Sequence, residues 1–119
     1  MIVSLVIALF LVFCTPSWLF AHAYLVKSLP AQRAVLHRRP SKIQLWFNER
    51  LEPRYSSLSV VRDDGKAVEM EPSAVDPNDA KLLAATLKPL APGRYRVAFR
   101  VLSVDGHVVQ DQFSFTIKP

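Results

Sequence analysis

The feature that most constrains the fold of this chain is the alternation of residue types from Arg94 to Val101. Apolar side chains occupy every second position of this stretch, and arginines occupy three of the four positions between them. A period of two is the signature of a β-strand with one buried and one solvated face, whereas an amphipathic helix repeats every 3.6 residues. The chain therefore contains at least one long strand of a sheet that buries one face.

Shorter β-rich stretches recur along the chain, and Pro, Gly, Asn and Asp separate them, as expected for strands joined by turns. Periodicity alone leaves 81–87 open to helix or strand, but its neighbours favour a strand. Asp63–Lys66 is predicted to be a hairpin turn and Glu71–Asp79 a loop. The predicted strands are 24–28, 42–47, 57–62, 67–70, 81–87, 94–101 and 112–118.

Leu90–Tyr95 has the form of a tyrosine corner, in which a tyrosine hydroxyl bonds to backbone at the edge of a sandwich. About seven short strands with few candidate helices indicate two packed sheets rather than helical layers. We therefore predict an all-β, antiparallel Greek-key β-sandwich of the immunoglobulin-like or cupredoxin-like kind.

Residues 1–21 are uncharged and apolar, which is typical of a secretory signal peptide. A retained anchor is the alternative, but Pro16 interrupts a segment that barely reaches the ~20 residues of a membrane span. We expect cleavage after Ala21 and a periplasmic domain of residues 22–119 that is not inserted in the membrane. A cut before Tyr24 fits the small-x-small pattern better and stays open. Cys14 lies in the leader, so the processed domain has neither a disulfide nor a thiolate ligand.

The formal net charge of +5 comes entirely from residues after the leader. The basic residues are scattered, and this distribution suits an anionic membrane surface or an acidic partner. No basic stretch is interleaved with stacking aromatics, so nucleic acid is not an expected partner.

Two places in the sequence offer metal ligands. Cleavage after Ala21 would make His22 the first residue, whose α-amine and imidazole together close a chelate ring. Asp105 and His107 lie between two predicted strands, and in extended backbone their side chains can face one ion, with Gly106 allowing the bend. Nitrogen and oxygen donors of this kind suit tetragonal Cu(II), with zinc as another possible occupant. Taken alone, however, Asp-Gly is also an ordinary hairpin turn.

Other candidate residues have simpler explanations beside the functional one. Glu49 follows a predicted strand and is either a further ligand or a solvated charge next to Arg50. His37 is expected to be a surface residue. Met70 is expected to pack in the core, since a Cu(I) site favours several sulfur ligands.

Four stretches together resemble the CopC family of periplasmic copper-binding proteins, and they span most of the processed domain. They are His22–Ala31, Trp46–Glu49, Ala91–His107 and Phe113–Phe115.

The resemblance implies one Cu(II) ion held by the amine and imidazole of His22, by Asp105 and His107, and in some members by the residue at Glu49. It implies no enzymatic activity. The expected function is a carrier that sequesters copper for tolerance or homeostasis and passes it to an inner-membrane transporter of the CopD type.

Two other functions stay open at this stage. A histidine chelate at the N-terminus is also used by copper-dependent oxidases and monooxygenases, although 98 residues leave little room for a polysaccharide platform. An immunoglobulin-like interaction domain without metal is the third possibility.

Overall fold

The computed structural model describes residues 23–119. This part of the chain forms eight strands and a single turn of 3-10 helix at Pro53–Tyr55, without an α-helix. The strands are β1 Leu25–Leu29, β2 Val35–Leu36, β3 Lys42–Phe47, β4 Ser57–Arg62, β5 Ala74–Asp76, β6 Asp79–Thr86, β7 Gly93–Leu102 and β8 Val108–Ile117.

The strands make two four-stranded sheets, one in the order β1-β3-β6-β5 and the other in the order β2-β8-β7-β4. Every pairing is antiparallel except that of β2 with β8, which is parallel. The predicted Greek-key β-sandwich is confirmed. Residues 23–119 include no helix with the length and apolar character needed to cross a bilayer.

The core lies between the sheets and is built from the alternating positions that the sequence indicated. Ile43 and Leu45 of β3 and Val97 of β7 are fully buried, and Phe113, Phe115 and Ile117 of β8 join them. Burying one such side chain contributes about 1.5–3 kcal/mol. The rings of Phe47 and Phe99 meet edge to face across the two sheets with their centroids 5.4 Å apart. This contact fixes the end of β3 relative to β7.

The predicted tyrosine corner is present. The hydroxyl of Tyr95 donates a hydrogen bond of 2.5 Å to the carbonyl oxygen of Ala91, and the ring stacks on Phe115. Because Tyr95 is buried, this bond satisfies a hydroxyl that water cannot reach.

Two segments differ from the predictions. Ala67–Met70 was expected to be a strand, but Ala67 bridges to Val61 in one sheet and Met70 bridges to Leu87, just beyond β6, in the other. The segment thus crosses between the sheets, which prevents it from extending either ladder. The predicted loop 71–79 contains β5, which pairs with β6 across a tight turn.

Candidate metal centre

Asp105 and His107 lie in the connection between β7 and β8, where Leu102 is paired with Val108. The connection is a compact turn: the amide of Gly106 donates to the carbonyl of Ser103, and the amide of Ser103 donates to the carbonyl of His107, both at 2.9 Å. Gly106 has φ +93°, a left-handed conformation that a side chain strongly disfavours. The glycine therefore allows the bend that turns the two flanking side chains toward each other.

The structure brings the carboxylate and the imidazole into contact. Nδ1 of His107 lies 3.0 Å from Oδ1 of Asp105, and both side chains are about one-third exposed. The backbone amide of His107 lies 3.3 Å from the same oxygen. Two candidate ligand side chains are thus close together on a turn and remain partly exposed, although Nδ1 of His107 is itself buried.

Ser103 supports this pair, and sequence reasoning did not identify it. Its side chain is almost fully buried, and its hydroxyl donates to Oδ1 of Asp105. This hydrogen bond, followed by the one from the His107 side chain, lowers the pKa of the Asp105 carboxyl below its ordinary value. The carboxylate is therefore ionised and oriented throughout the neutral range. In the sequence, the position of Ser103 two residues before Asp105 was the feature that could have predicted this hydrogen bond.

The start of β1 is tied to the segment that follows β3. The backbone amide of Tyr24 donates to Oδ1 of Asn48 at 2.6 Å, and the amide of Asn48 donates back to the carbonyl of Tyr24 at 3.2 Å. Ala23, directly before this pair, is buried. The first described residues are therefore held firmly against the sandwich.

The same segment also contacts the turn with the candidate ligands. The amide of Val104 donates to the carbonyl of Arg50 at 2.9 Å, and Leu51 bridges to Ser103. Residues 48–51 thus touch the start of β1 on one side and the Asp105–His107 turn on the other. His22 itself lies outside the described residues, but the chain that follows it begins at this end of the sandwich.

The other candidate residues occupy different surroundings. Glu49 is half-buried within the connecting segment, and residues 23–119 contain no cluster of three His, Cys, Asp or Glu side chains that could hold a metal ion. His37 is exposed beyond β2, at the end of the second sheet where Ile117 pairs with Gly93, opposite the Asp105–His107 turn. Met70 packs against the core.

The donors suit copper in type, although the described residues supply only part of a coordination sphere. An imidazole nitrogen and an ionised carboxylate are ligands that Cu(II) accepts, and tetragonal coordination calls for further nitrogen or oxygen donors. An amine and a second imidazole arriving at the start of β1 would supply two such nitrogens.

Comparisons with known proteins find similarity over most of the chain. The family model described as the CopC domain matches residues 25–118. Over 105 residues the chain is 37% identical to copper resistance protein C of Xanthomonas campestris pv. juglandis, covering 83% of this chain and 82% of that protein. The crystal structure of CopC from Methylosinus trichosporium OB3b aligns with a TM-score of 0.77 at 36% identity, over 82% of this chain and 95% of that one.

A longer relative shows the same similarity over a part of its length. The chain is 32% identical over 114 residues to copper transport protein CutJ of Bacillus subtilis (strain 168). The match covers 95% of this chain but 21% of CutJ, so the chain spans about a fifth of that relative.

Proposed function

This chain belongs to the CopC family, and we propose that it is a periplasmic, non-enzymatic protein that binds one Cu(II) ion. We further propose that it sequesters the ion in copper tolerance or homeostasis and passes it to an inner-membrane transporter of the CopD type. The leader 1–21 would be removed, leaving the domain 22–119 with His22 as its first residue.

The observation that carries the proposal is the contact between Asp105 and His107 beside the start of β1. In the proposed site His107 gives an imidazole nitrogen, Asp105 a carboxylate oxygen, and His22 its amine and imidazole. Glu49, in the segment between them, is proposed as an additional oxygen ligand. This set matches the preference of Cu(II) for nitrogen and oxygen donors.

The proposed ligands also give the protein a pH-dependent affinity. A free α-amine has an ordinary pKa of about 8 and a free imidazole one of about 6.5, and each must lose its proton before it can bind a metal ion. Copper affinity should therefore fall as the pH drops through the weakly acidic range. The ionised Asp105 carboxylate would remain available over that range.

The proposal is tested on protein secreted from its own leader and purified from the periplasm. The intact mass should begin at His22, and the protein should bind one Cu(II) in a titration against a competing chelator. His107→Ala and Asp105→Asn should weaken binding strongly, and Glu49→Gln should weaken it less.

The matched control is His37→Ala, which removes an exposed imidazole at the opposite end of the sandwich. Copper affinity should be unchanged in this variant. A mass beginning at Tyr24, or an equal loss of affinity in the His37 and His107 variants, would contradict the proposed site.

A further inference from the structure

The outer face of the second sheet has an unusual composition across β4, β7 and β8. Val97, Phe99 and Val101 point into the core, so the residues between them on β7 point outward. The strand register places these outward residues in three rows with their neighbours on β4 and β8. The rows are Val61–Arg96–Ser114, Ser59–Ala98–Gln112 and Ser57–Arg100–Gln110, which we call the arginine face.

Two arginines of this face form no ion pair within the described part of the chain. Arg96 and Arg100 are exposed and form no ion pair there, whereas Arg94, at the margin, lies 3.9 Å from Asp63. None of the nine side chains in the rows is acidic. Two acids are nearby, Asp111 on β8 and Asp63 after β4, but among the described residues neither forms an ion pair with Arg96 or Arg100. The nine side chains of the rows therefore contribute two positive charges and no negative charge.

The surface between the arginines is recessed. A hollow of about 570 Å³ is lined by Ser59, Ala98, Arg100, Gln110 and Asp111 among others. A second hollow of about 360 Å³ is lined by Arg96, Ser114 and the ion pair of Arg94 with Asp63, and Gln112 borders both hollows. The short side chain of Ala98 keeps the middle of the face low. The result is an elongated trough along β7 with one unpaired arginine in each hollow.

From this arrangement we propose that the arginine face binds an extended acidic segment of another protein. Guanidinium groups bind carboxylates in a bidentate geometry, and the two arginines are four strand residues, or about 13 Å, apart. An extended peptide repeats its side chains with the same spacing, so its carboxylates at i and i+4 match Arg96 and Arg100. The serines and glutamines between them can bond to the peptide backbone.

Two other occupants fit the face less well. A membrane surface is usually held by basic residues together with aromatic or large apolar side chains that enter the interface, and the rows contain no aromatic residue. A second copy of this chain carries the same net charge of +5 and would be repelled. The proposal is independent of copper binding.

The test uses the secreted domain and a fluorescent decapeptide of alternating Glu and Thr, with a decapeptide of alternating Gln and Thr as the uncharged probe. We expect the acidic peptide to bind and the uncharged peptide not to bind, and the affinity for the acidic peptide should fall as salt is added. The double variant Arg96→Glu/Arg100→Glu should weaken binding at least tenfold, and Arg96→Gln/Arg100→Gln should weaken it less while leaving the fold undisturbed.

The matched control is Arg38→Glu/Arg39→Glu, which makes the same change of net charge at exposed residues of the loop after β2. It should retain most of the affinity. If the control variant lost as much affinity for the acidic peptide, the effect would be one of net charge, and the proposal would be wrong. Failure of the acidic peptide to bind the native domain would also overturn the proposal. Binding to phosphatidylglycerol vesicles, or self-association, that depends on Arg96 and Arg100 without peptide binding would also overturn it.

Discussion

Oδ1 of Asn48 lies 2.6 Å from the backbone nitrogen of Tyr24, and this hydrogen bond joins the start of β1 to the segment that follows β3. Two residues after Asn48, the carbonyl of Arg50 accepts a hydrogen bond from the amide of Val104, which lies in the turn of Asp105 and His107. One short segment thus holds both ends of the proposed copper site, although these ends are far apart in the sequence.

Replacing Asn48 with alanine should loosen the start of β1. Loss of the side-chain hydrogen bond to Tyr24 should lower the free energy of unfolding by about 1 kcal/mol. It should also reduce copper affinity, because His22 is two residues from the released amide. Chemical denaturation and copper titration measure the two effects. Asn78→Ala, on an exposed turn, is the control and should change neither quantity; an Asn48 variant with native affinity would show that this bond does not position the site.

Adding one glycine before His22 should weaken copper binding severely. The extra residue converts the proposed ligand amine into an amide and moves the charged terminus away, while the rest of the domain is unchanged. Copper titration of the extended and native proteins measures the difference. A glycine added after Pro119 serves as the control and should have no effect. Native affinity in the N-terminally extended protein would remove the amine from the ligand set.

Gly106→Ala and Gly65→Ala form a matched pair. Both glycines have positive φ, +93° and +84°, and an added Cβ would meet no atom within 4 Å at either position. The cost should therefore be backbone strain alone, about 1 kcal/mol in each case. Only Gly106→Ala should also lower copper affinity, since Gly65 lies in the turn after β4, away from Asp105 and His107. Equal copper affinities in the two variants would show that the bend at Gly106 is not needed for the site.

The metal-free protein should gain stability from the Asp105 carboxylate in a pH-dependent way. Its pKa is lowered in the folded state by the hydrogen bonds from Ser103 and His107, so the ionised form is favoured by folding. This stabilisation is present above the ordinary carboxyl pKa of 3.8 and is lost as the pH falls through the lower folded value. Asp105→Asn should therefore reduce the free energy of unfolding at pH 7 more than at pH 3, measured by denaturant titration with a chelator present.

Ser103→Ala provides the check on that prediction, because the Ser103 hydroxyl is the largest cause of the lowered pKa. In the Ser103→Ala background the pH dependence of the Asp105→Asn effect should shrink, which a double-mutant cycle at the two pH values measures. If the pH dependence of the Asp105→Asn effect were the same with and without Ser103, the stabilisation would come from another group.

Tyr95→Phe should destabilise the sandwich without affecting copper. The variant loses the bond to Ala91 but keeps the ring stacked on Phe115, so the expected cost is about 1–3 kcal/mol. Thermal unfolding should show a lower Tm, whereas copper affinity should stay native because the corner lies at the start of β7 and the proposed site follows the end of that strand. Tyr55→Phe, on an exposed ring, should leave the Tm unchanged; a similar drop in both variants would argue against the corner.

Sequence patterns predicted the elements whose burial alternates. Ile43, Leu45 and Phe47 face the core, as do Tyr95 and its alternate neighbours, because one face of each strand is covered by the opposite sheet. The tyrosine corner was also predictable, since its donor and acceptor are four residues apart. Asp105 and His107 were predicted to come together on extended backbone, but their contact is made in a compact turn, in which Gly106 provides the expected bend.

Long-range features had no comparable signal. The two residues of β2 pair in parallel with the end of β8, and nothing within so short a stretch indicates a partner that distant. Asn48 was missed as a structural residue because its bond to Tyr24 spans 24 positions. Ala67–Met70 has strand-like composition, yet its two ends bond to different sheets, and tertiary pairing therefore outweighed local propensity.

β1 and β2 are consecutive in the chain, yet they form the edges of different sheets. The short link between them is held by the amide of Arg33, which donates to the carbonyl of Ser114, so fraying from the N-terminus would open both edges in one cooperative step. A ligand that binds the first residues of the folded domain would oppose this opening by mass action. Hydrogen exchange should then slow at the amide of Thr116, which donates to Ala34 just before β2, and at the amide of Lys118, which donates to Leu36 of β2. These amides lie at the far end of the molecule, and no structural change is expected there.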